Sequence, residues 1–170
     1  MSTSERGGSQ PAGSERLVLC RSAGETASLG GRLAAALTVT DGAPAVLYLQ
    51  GDLGTGKTTF ARGFLEQLGV DTPVRSPTYT LLELYEAGSI SLLHLDLYRL
   101  RLPSELDELG LREWARPGHA WLIEWPERGI GRLPPADLTA GFSIGTEGHQ
   151  VHLRAMSPLG DSWLARLPRA

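Results

Sequence analysis

Apolar residues in this chain recur in two rhythms, and the change from one to the other marks out its elements. Ala45 to Gln50 (Ala-Val-Leu-Tyr-Leu-Gln) is a nearly unbroken apolar run with a β-branched and an aromatic residue, which predicts a strand buried on both faces. From Thr58 to Leu68 the rhythm changes. Phe60, Phe64, Leu65 and Leu68 fall at helical spacing, and Gly69 follows as a C-terminal stop. Between the two lies a segment with three glycines in six residues, Gly51 to Gly56.

The same reading extends along the chain. Leu17 to Cys20 predicts a first strand. Ser22-Ala-Gly-Glu25 fits a capping box ahead of a helix carrying Leu29, Leu33, Ala36 and Leu37 on one side. Gly42 and Pro44 break the chain before the next strand. Thr80 to Tyr85 and Ser91 to Leu95, separated by Glu86-Ala87-Gly88-Ser89, predict a hairpin. Pro103-Ser104 opens a short helix through Leu109 with Gly110 as its stop, and another helical turn is expected near Leu111 to Ala115. Ala120 to Ile123 is an apolar strand; Leu138 to Ile144 and Val151 to Ala155 are two more, joined by Gly145-Thr146-Glu147-Gly148. From Met156 onward no element is expected.

Strands alternating with helices predict a three-layer α/β domain of the P-loop NTPase kind, around a central mixed, mostly parallel sheet. At 170 residues one domain is expected, over residues 16–156, after a leader at 1–15 and before a tail at 157–170. The leader, rich in Ser and Gly without an apolar core, reads as disordered and is neither a signal peptide nor a membrane segment. No stretch reaches transmembrane length, so a cytoplasmic protein without membrane attachment is expected.

The glycine segment carries the chemistry. Gly51-Asp52-Leu53-Gly54-Thr55-Gly56-Lys57-Thr58 is G-x-x-x-x-G-K-T, the phosphate-binding loop pattern, set between a strand and a helix as that chemistry requires. Glycines let successive N–H groups turn toward phosphate oxygens, and the helix start adds its dipole. Lys57 is the only lysine in a chain that otherwise uses arginine for positive charge. A compact ammonium suits the β- and γ-phosphates better than a planar guanidinium. Thr58 is placed to put its hydroxyl on Mg²⁺, and Thr59 is a further phosphate contact.

Such a site needs an acid at the end of a neighbouring strand. Asp96 and Glu124 both follow apolar runs, and both are expected at the C-terminal edge of the sheet, where open α/β folds bind ligands. Glu124 is followed by Trp125-Pro126, a sharp turn that restricts it, and is assigned to Mg²⁺. Asp96 is then left to orient a metal-bound or attacking water, and the two roles are exchangeable. Ser76-Pro77-Thr78-Tyr79-Thr80 is either a γ-phosphate sensor or a plain turn. Arg75 and Arg99 are candidate charge stabilisers, although solvated surface arginines are the commoner case. His94, His119, His149 and His152 have no metal-ligand spacing and are expected on the surface or in packing, as are Trp121 and Trp125 in the core.

Charge and cysteine content exclude other classes. Net charge is −3 with no basic run, so a nucleic-acid-binding patch is not indicated. Cys20, the only cysteine, excludes an internal disulfide or a multi-cysteine zinc site, and reads as a small buried hydrophobe.

Gly51-Asp-Leu-Gly-Thr-Gly-Lys-Thr-Thr59, Ser76-Pro-Thr-Tyr-Thr80, His94-Leu-Asp-Leu-Tyr-Arg-Leu100 and Glu124-Trp-Pro126, in this order and spacing, resemble the TsaE family over roughly Leu17 to Met156. That family supplies the ATPase subunit of bacterial tRNA threonylcarbamoyladenosine synthesis. The resemblance implies a small P-loop ATPase that docks on a TsaD–TsaB heterodimer and touches tRNA indirectly, through the complex that modifies the adenosine 3′ of the anticodon. It implies ATP contacts from Thr26, Gly54, Thr55, Gly56, Lys57, Thr58 and Thr59, Mg²⁺ on Thr58 and Glu124, Asp96 near the γ-phosphate, and Glu127 approaching the nucleotide. Catalysis would then rest on Lys57, Asp96 and Glu124.

Two other classes fit the sequence less well. A small-molecule or nucleoside kinase needs an acceptor pocket, a lid and a basic cluster, for which this chain has little length and only scattered arginines. A guanine-specific switch needs a second lysine in its base-reading segment, which a chain with one lysine cannot supply. Without an evident arginine finger in cis, hydrolysis is expected to be slow alone and partner-modulated.

Overall fold

A computed structural model describes residues 13–40, 42–71 and 80–169. Most of the leader and all of Arg75 to Tyr79 lie outside these, so the expectations for them are not addressed below. Seven strands form one sheet: β1 (Glu15–Cys20), β2 (Ala45–Gln50), β3 (Leu82–Ala87), β4 (Ile90–Asp96), β5 (His119–Glu124), β6 (Leu138–Gly145) and β7 (Gly148–Ala155), in the order β1-β7-β6-β2-β5-β4-β3. The sheet is mixed, as expected. The four central strands β6, β2, β5 and β4 run parallel, and the outer pairings with β3, β7 and β1 are antiparallel.

Three helices, α1 (Ala23–Ala35), α2 (Lys57–Gln67) and α3 (Pro158–Arg166), share one face. Ser22 caps α1 by accepting from Glu25 N at 3.1 Å, while Glu25 Oε2 reaches back to Arg21 N at 2.7 Å. That is one residue earlier than a reciprocal capping box would place it. α1 and α2 approach until their backbones nearly touch. A Cβ on Gly63 would fall 2.0 Å from Ala27 O, and one on Gly30 would fall 2.1 Å from Phe60 O. Only glycine fits those two crossings.

Strand alternation divides the core. Leu47, Leu49, Leu92 and Leu122 face the helices with Leu29, Leu33, Phe60 and Phe64. Val46, Leu93, Leu95, Trp121 and Ile123 face the other way. That second face is covered by 3₁₀ segments, Pro103–Leu109, Leu111–Trp114 and Pro126–Gly129, so the third layer is thin. The hairpin predicted with a four-residue connection is tighter: β3 runs to Ala87, leaving Gly88-Ser89 as the turn.

The expectation of no element after Met156 is corrected. α3 begins on Ser157, whose hydroxyl oxygen accepts from Gly160 N at 3.1 Å. Its Trp163 is 1% exposed, donates from Nε1 to Leu33 O at 2.8 Å, and packs against Phe64 with ring centroids 6.3 Å apart. The signal was present in Ser157-Pro158, an N-cap residue followed by proline at the first helical position. The shortness of the helix, with Gly160 inside it, concealed it. The other boundary also moves: Glu15, assigned to the leader, opens β1 opposite Arg154.

Candidate functional site

The loop between β2 and α2 closes around its lysine. Lys57 is 5% exposed, and its Nζ donates to Gly51 O at 2.6 Å and Asp52 O at 2.7 Å. It also lies 3.4 Å from Thr55 Oγ1 and 4.1 Å from the centroid of the Trp125 ring. Burial pulls the ammonium's pKa below its ordinary value, opposed by the negative charges of Glu124, Glu127, Asp96 and Asp52. Gly56, at φ 105°, turns the chain into α2. A side chain there would be strained and would crowd His149 Nδ1 at 3.0 Å and Thr26 at 3.3 Å.

Parallel register brings the two acids together. Asp96 and Glu124 are Cα partners at the ends of β4 and β5, on the sheet face that carries α2. Glu124 is 1% exposed and grips both neighbours: Thr58 donates its hydroxyl to Oε2 at 3.1 Å, and His94 Nε2 lies 2.9 Å from Oε1. Asp96, 7% exposed, accepts from Tyr98 N at 3.0 Å through Oδ1. Beyond Glu124 the chain turns through Trp125 at φ 59°, a conformation a bulky residue holds only under restraint. Trp125 N donates to Leu49 O at 3.2 Å, and its ring meets Tyr98 at 4.9 Å between centroids. Arg128 stands over both rings.

Two adjoining clefts open here. The larger, about 420 Å³, is lined by Gly54, Gly56, Lys57, Thr58, Thr59, Asp96, Arg99 and Glu124, with Tyr98 and Trp125 on one side. The smaller, about 230 Å³, is lined by Cys20, Ser22, Thr26 and Gly148, and meets the first at Gly56, Thr59 and His149. Of the residues singled out from the sequence, Gly54, Gly56, Lys57, Thr58, Thr59, Asp96 and Glu124 converge on the larger cleft. Thr26 lies in the smaller one, with its hydroxyl 3.2 Å from Ser22 O. Thr55 is buried inside the loop and binds Asp52 O at 2.7 Å. Glu127 is exposed and lines neither cleft, acting on Lys57 only through its charge.

Sequence reading missed two histidines. His94 is fully buried on Glu124, and His149 stands where the clefts join. His94 had a signal, since His94 and Asp96 two apart on a strand face the same way. His149 had none, because only the sheet order brings the start of β7 to the loop.

The donor set suits a hard divalent cation. A hydroxyl and a carboxylate face each other across 3.1 Å, and Lys57 lies beside them. Among the described residues no group of three His, Cys, Asp or Glu could hold a metal ion unaided. That fits an ion that takes one or two protein ligands and completes its shell from phosphate oxygens and water. Among the described residues no helix is long and apolar enough to cross a membrane.

The sheet order and the lysine-closed loop between β2 and α2 define a P-loop-type α/β protein. Residues 20–152 match the family model described as threonylcarbamoyl adenosine biosynthesis protein TsaE. The chain belongs to the TsaE family. It is 43% identical over 115 residues to tRNA threonylcarbamoyladenosine biosynthesis protein TsaE of Haemophilus influenzae, covering 68% of this chain and 73% of that one. It is 45% identical over 93 residues to the Bacillus subtilis protein of the same name, covering 55% and 58%. The crystal structure of Bacillus subtilis YdiB superposes with a TM-score of 0.74 at 28% identity, over 93% of this chain and 97% of that one.

Proposed function

We propose that this chain is a Mg²⁺-dependent ATP hydrolase that serves tRNA threonylcarbamoyladenosine modification by docking on a TsaD–TsaB-like heterodimer, in the cytoplasm. The observation that carries the reading is the contact of Thr58 with Glu124, which joins the phosphate loop to a strand-end acid at one cleft. Family membership and the relatives' printed names support the pathway.

In this reading the triphosphate lies along Gly54 to Thr59 and the nucleoside extends past Gly56 toward Thr26. Lys57 gives up loop carbonyls for phosphate oxygens, exchanging neutral acceptors for charged ones. Thr58 and Glu124 would hold Mg²⁺, which would supply positive charge against the phosphates when bound. Asp96, beside Glu124 in register, orients the attacking water. Water oxygen then bonds to the γ-phosphorus as the bond from that phosphorus to the bridging oxygen breaks; ADP leaves with that oxygen and the water's hydrogens go to the released phosphate. Partner-supplied positive charge would complete the site, and basal turnover is correspondingly slow.

Titration calorimetry with Mg-ATP, followed by phosphate release with and without a TsaD–TsaB pair, tests this. Binding is expected from the chain alone, with turnover that changes on adding the pair. A well-folded sample giving no heat of binding ends the nucleotide reading, and identical turnover with and without the pair ends the docking reading.

A further inference from the structure

We propose that His94 is the positioning residue for Glu124, holding one carboxylate oxygen from the sheet so that the other stays turned toward Thr58, where a divalent cation would be held. The inference rests on the reading of Thr58 and Glu124 as the cation's protein ligands, and deepens it.

His94 is 0% exposed, and its Nε2 lies 2.9 Å from Glu124 Oε1. The carboxylate carries no hydrogen to offer, so the ring donates. Nδ1 is buried and has no partner among the described residues. A hydrogen there would lack an acceptor, so we assign the single ring hydrogen to Nε2 from the hydrogen-bond network. A buried nitrogen left without a partner carries a desolvation cost that an apolar side chain at the same place would avoid. Packing alone does not account for the choice, since the neighbouring inward positions on this face are Leu92 and Leu122.

Geometry gives the residue a specific task. His94 and Asp96 sit two apart on β4, and Glu124 is opposite Asp96 on β5, so all three share the face under the start of α2. A glutamate side chain has three rotatable bonds, and Thr58 engages Oε2 alone. Pinning Oε1 from the sheet side removes the remaining freedom, so Oε2 stays turned toward Thr58. Partners of metal-ligating groups are typically worth 10–100-fold in metal affinity through such orientation.

The test measures cation affinity directly, by Mn²⁺ paramagnetic resonance in the presence of ADP, beside ADP affinity in EDTA by calorimetry. His94→Leu, about the same size but without a donor, is expected to weaken Mn²⁺ binding about 10- to 100-fold. Metal-free ADP affinity, which reads the loop and Lys57, is expected to change less than about twofold. His94→Gln places an amide nitrogen near the Nε2 position and should recover most of the loss. His94→Asn places its amide nitrogen near Nδ1, out of reach of Glu124, and should not. If Leu does not fold, the Gln and Asn pair carries the test.

Mn²⁺ affinity within twofold of wild type in a folded His94→Leu, or equal losses in Gln and Asn, overturns the positioning role. Glu124→Ala separates the two readings. Unchanged Mn²⁺ affinity there overturns the cation reading and the His94 role together, whereas loss in Glu124→Ala with none in His94→Leu overturns the His94 role alone.

Discussion

Thr58 donates a hydrogen bond to Glu124 across 3.1 Å although 66 residues separate them in the chain. One sits at the start of α2 and the other at the end of β5, and parallel pairing of β2 with both β5 and β6 fixes the distance between their elements. The contact turns a loop motif and an isolated acid into one candidate site, and it organises what can be tested.

Removing Lys57 separates nucleotide binding from folding. Lys57→Ala deletes a buried charge that lines the cleft and is held on loop carbonyls, and charge-assisted hydrogen bonds are worth about 1.5–3 kcal/mol. Mg-ATP affinity should fall about 10- to 100-fold by calorimetry, with circular dichroism unchanged. Wild-type affinity in this variant would exclude Lys57 from phosphate binding.

The two acids should behave differently. Glu124→Ala should leave metal-free nucleotide binding largely intact while abolishing Mg²⁺-dependent phosphate release. Asp96→Ala should retain Mg²⁺-dependent tightening of nucleotide binding but hydrolyse poorly. The reverse pattern would exchange their roles.

Gly56 sets the entry to α2, and its left-handed backbone leaves no room beside His149. Gly56→Ala should cost about 1–3 kcal/mol of stability, read as a lower denaturant midpoint, together with weakened nucleotide binding. A neutral substitution would show that the loop adopts another conformation in solution.

Trp163 ties the last helix to α1 and α2. Trp163→Ala should destabilise by about 3–5 kcal/mol. A chain ending at Met156 should be at least as unstable in urea. Full stability of that truncation would show that α3 is dispensable for the core.

Tyr48 gives a pH-dependent signature. Burial pushes its phenol up from 10.0 to about 12, and its hydroxyl donates to Pro134 O. The unfolded chain therefore loses this proton first. The contribution is complete below pH 10 and disappears as pH rises from about 10 to about 12. Tyr48→Phe should show a flatter fall in stability over that range by urea titration, and an unchanged slope would remove Tyr48 as its cause.

Much of the site was legible before the fold. G-x-x-x-x-G-K-T between a buried-strand run and a helical run is a local signal, because the loop's backbone geometry depends on residues adjacent in sequence. Asp96 and Glu124 were visible as acids ending apolar strands. What could not be read was how each would be held. His94 is buried, within the expectation of a surface or packing place, but its contact with Glu124 was not legible because that partner lies on another strand. Glu127 lies exposed and lines neither cleft, yet its charge acts on Lys57, a relationship that the turn through Trp125 creates and the sequence does not show.

The sequence by itself determined the strands and helices around the loop, the glycine-lysine loop and the family, because hydrophobic period and turn chemistry act over a few residues. Tertiary structure alone decided the order β1-β7-β6-β2-β5-β4-β3, the docking of α3 on Phe64 and Leu33, and the chain of contacts from Thr58 through Glu124 to His94. Those depend on which faces are buried against each other, and the pairing of buried polar groups follows only once that burial leaves them no water.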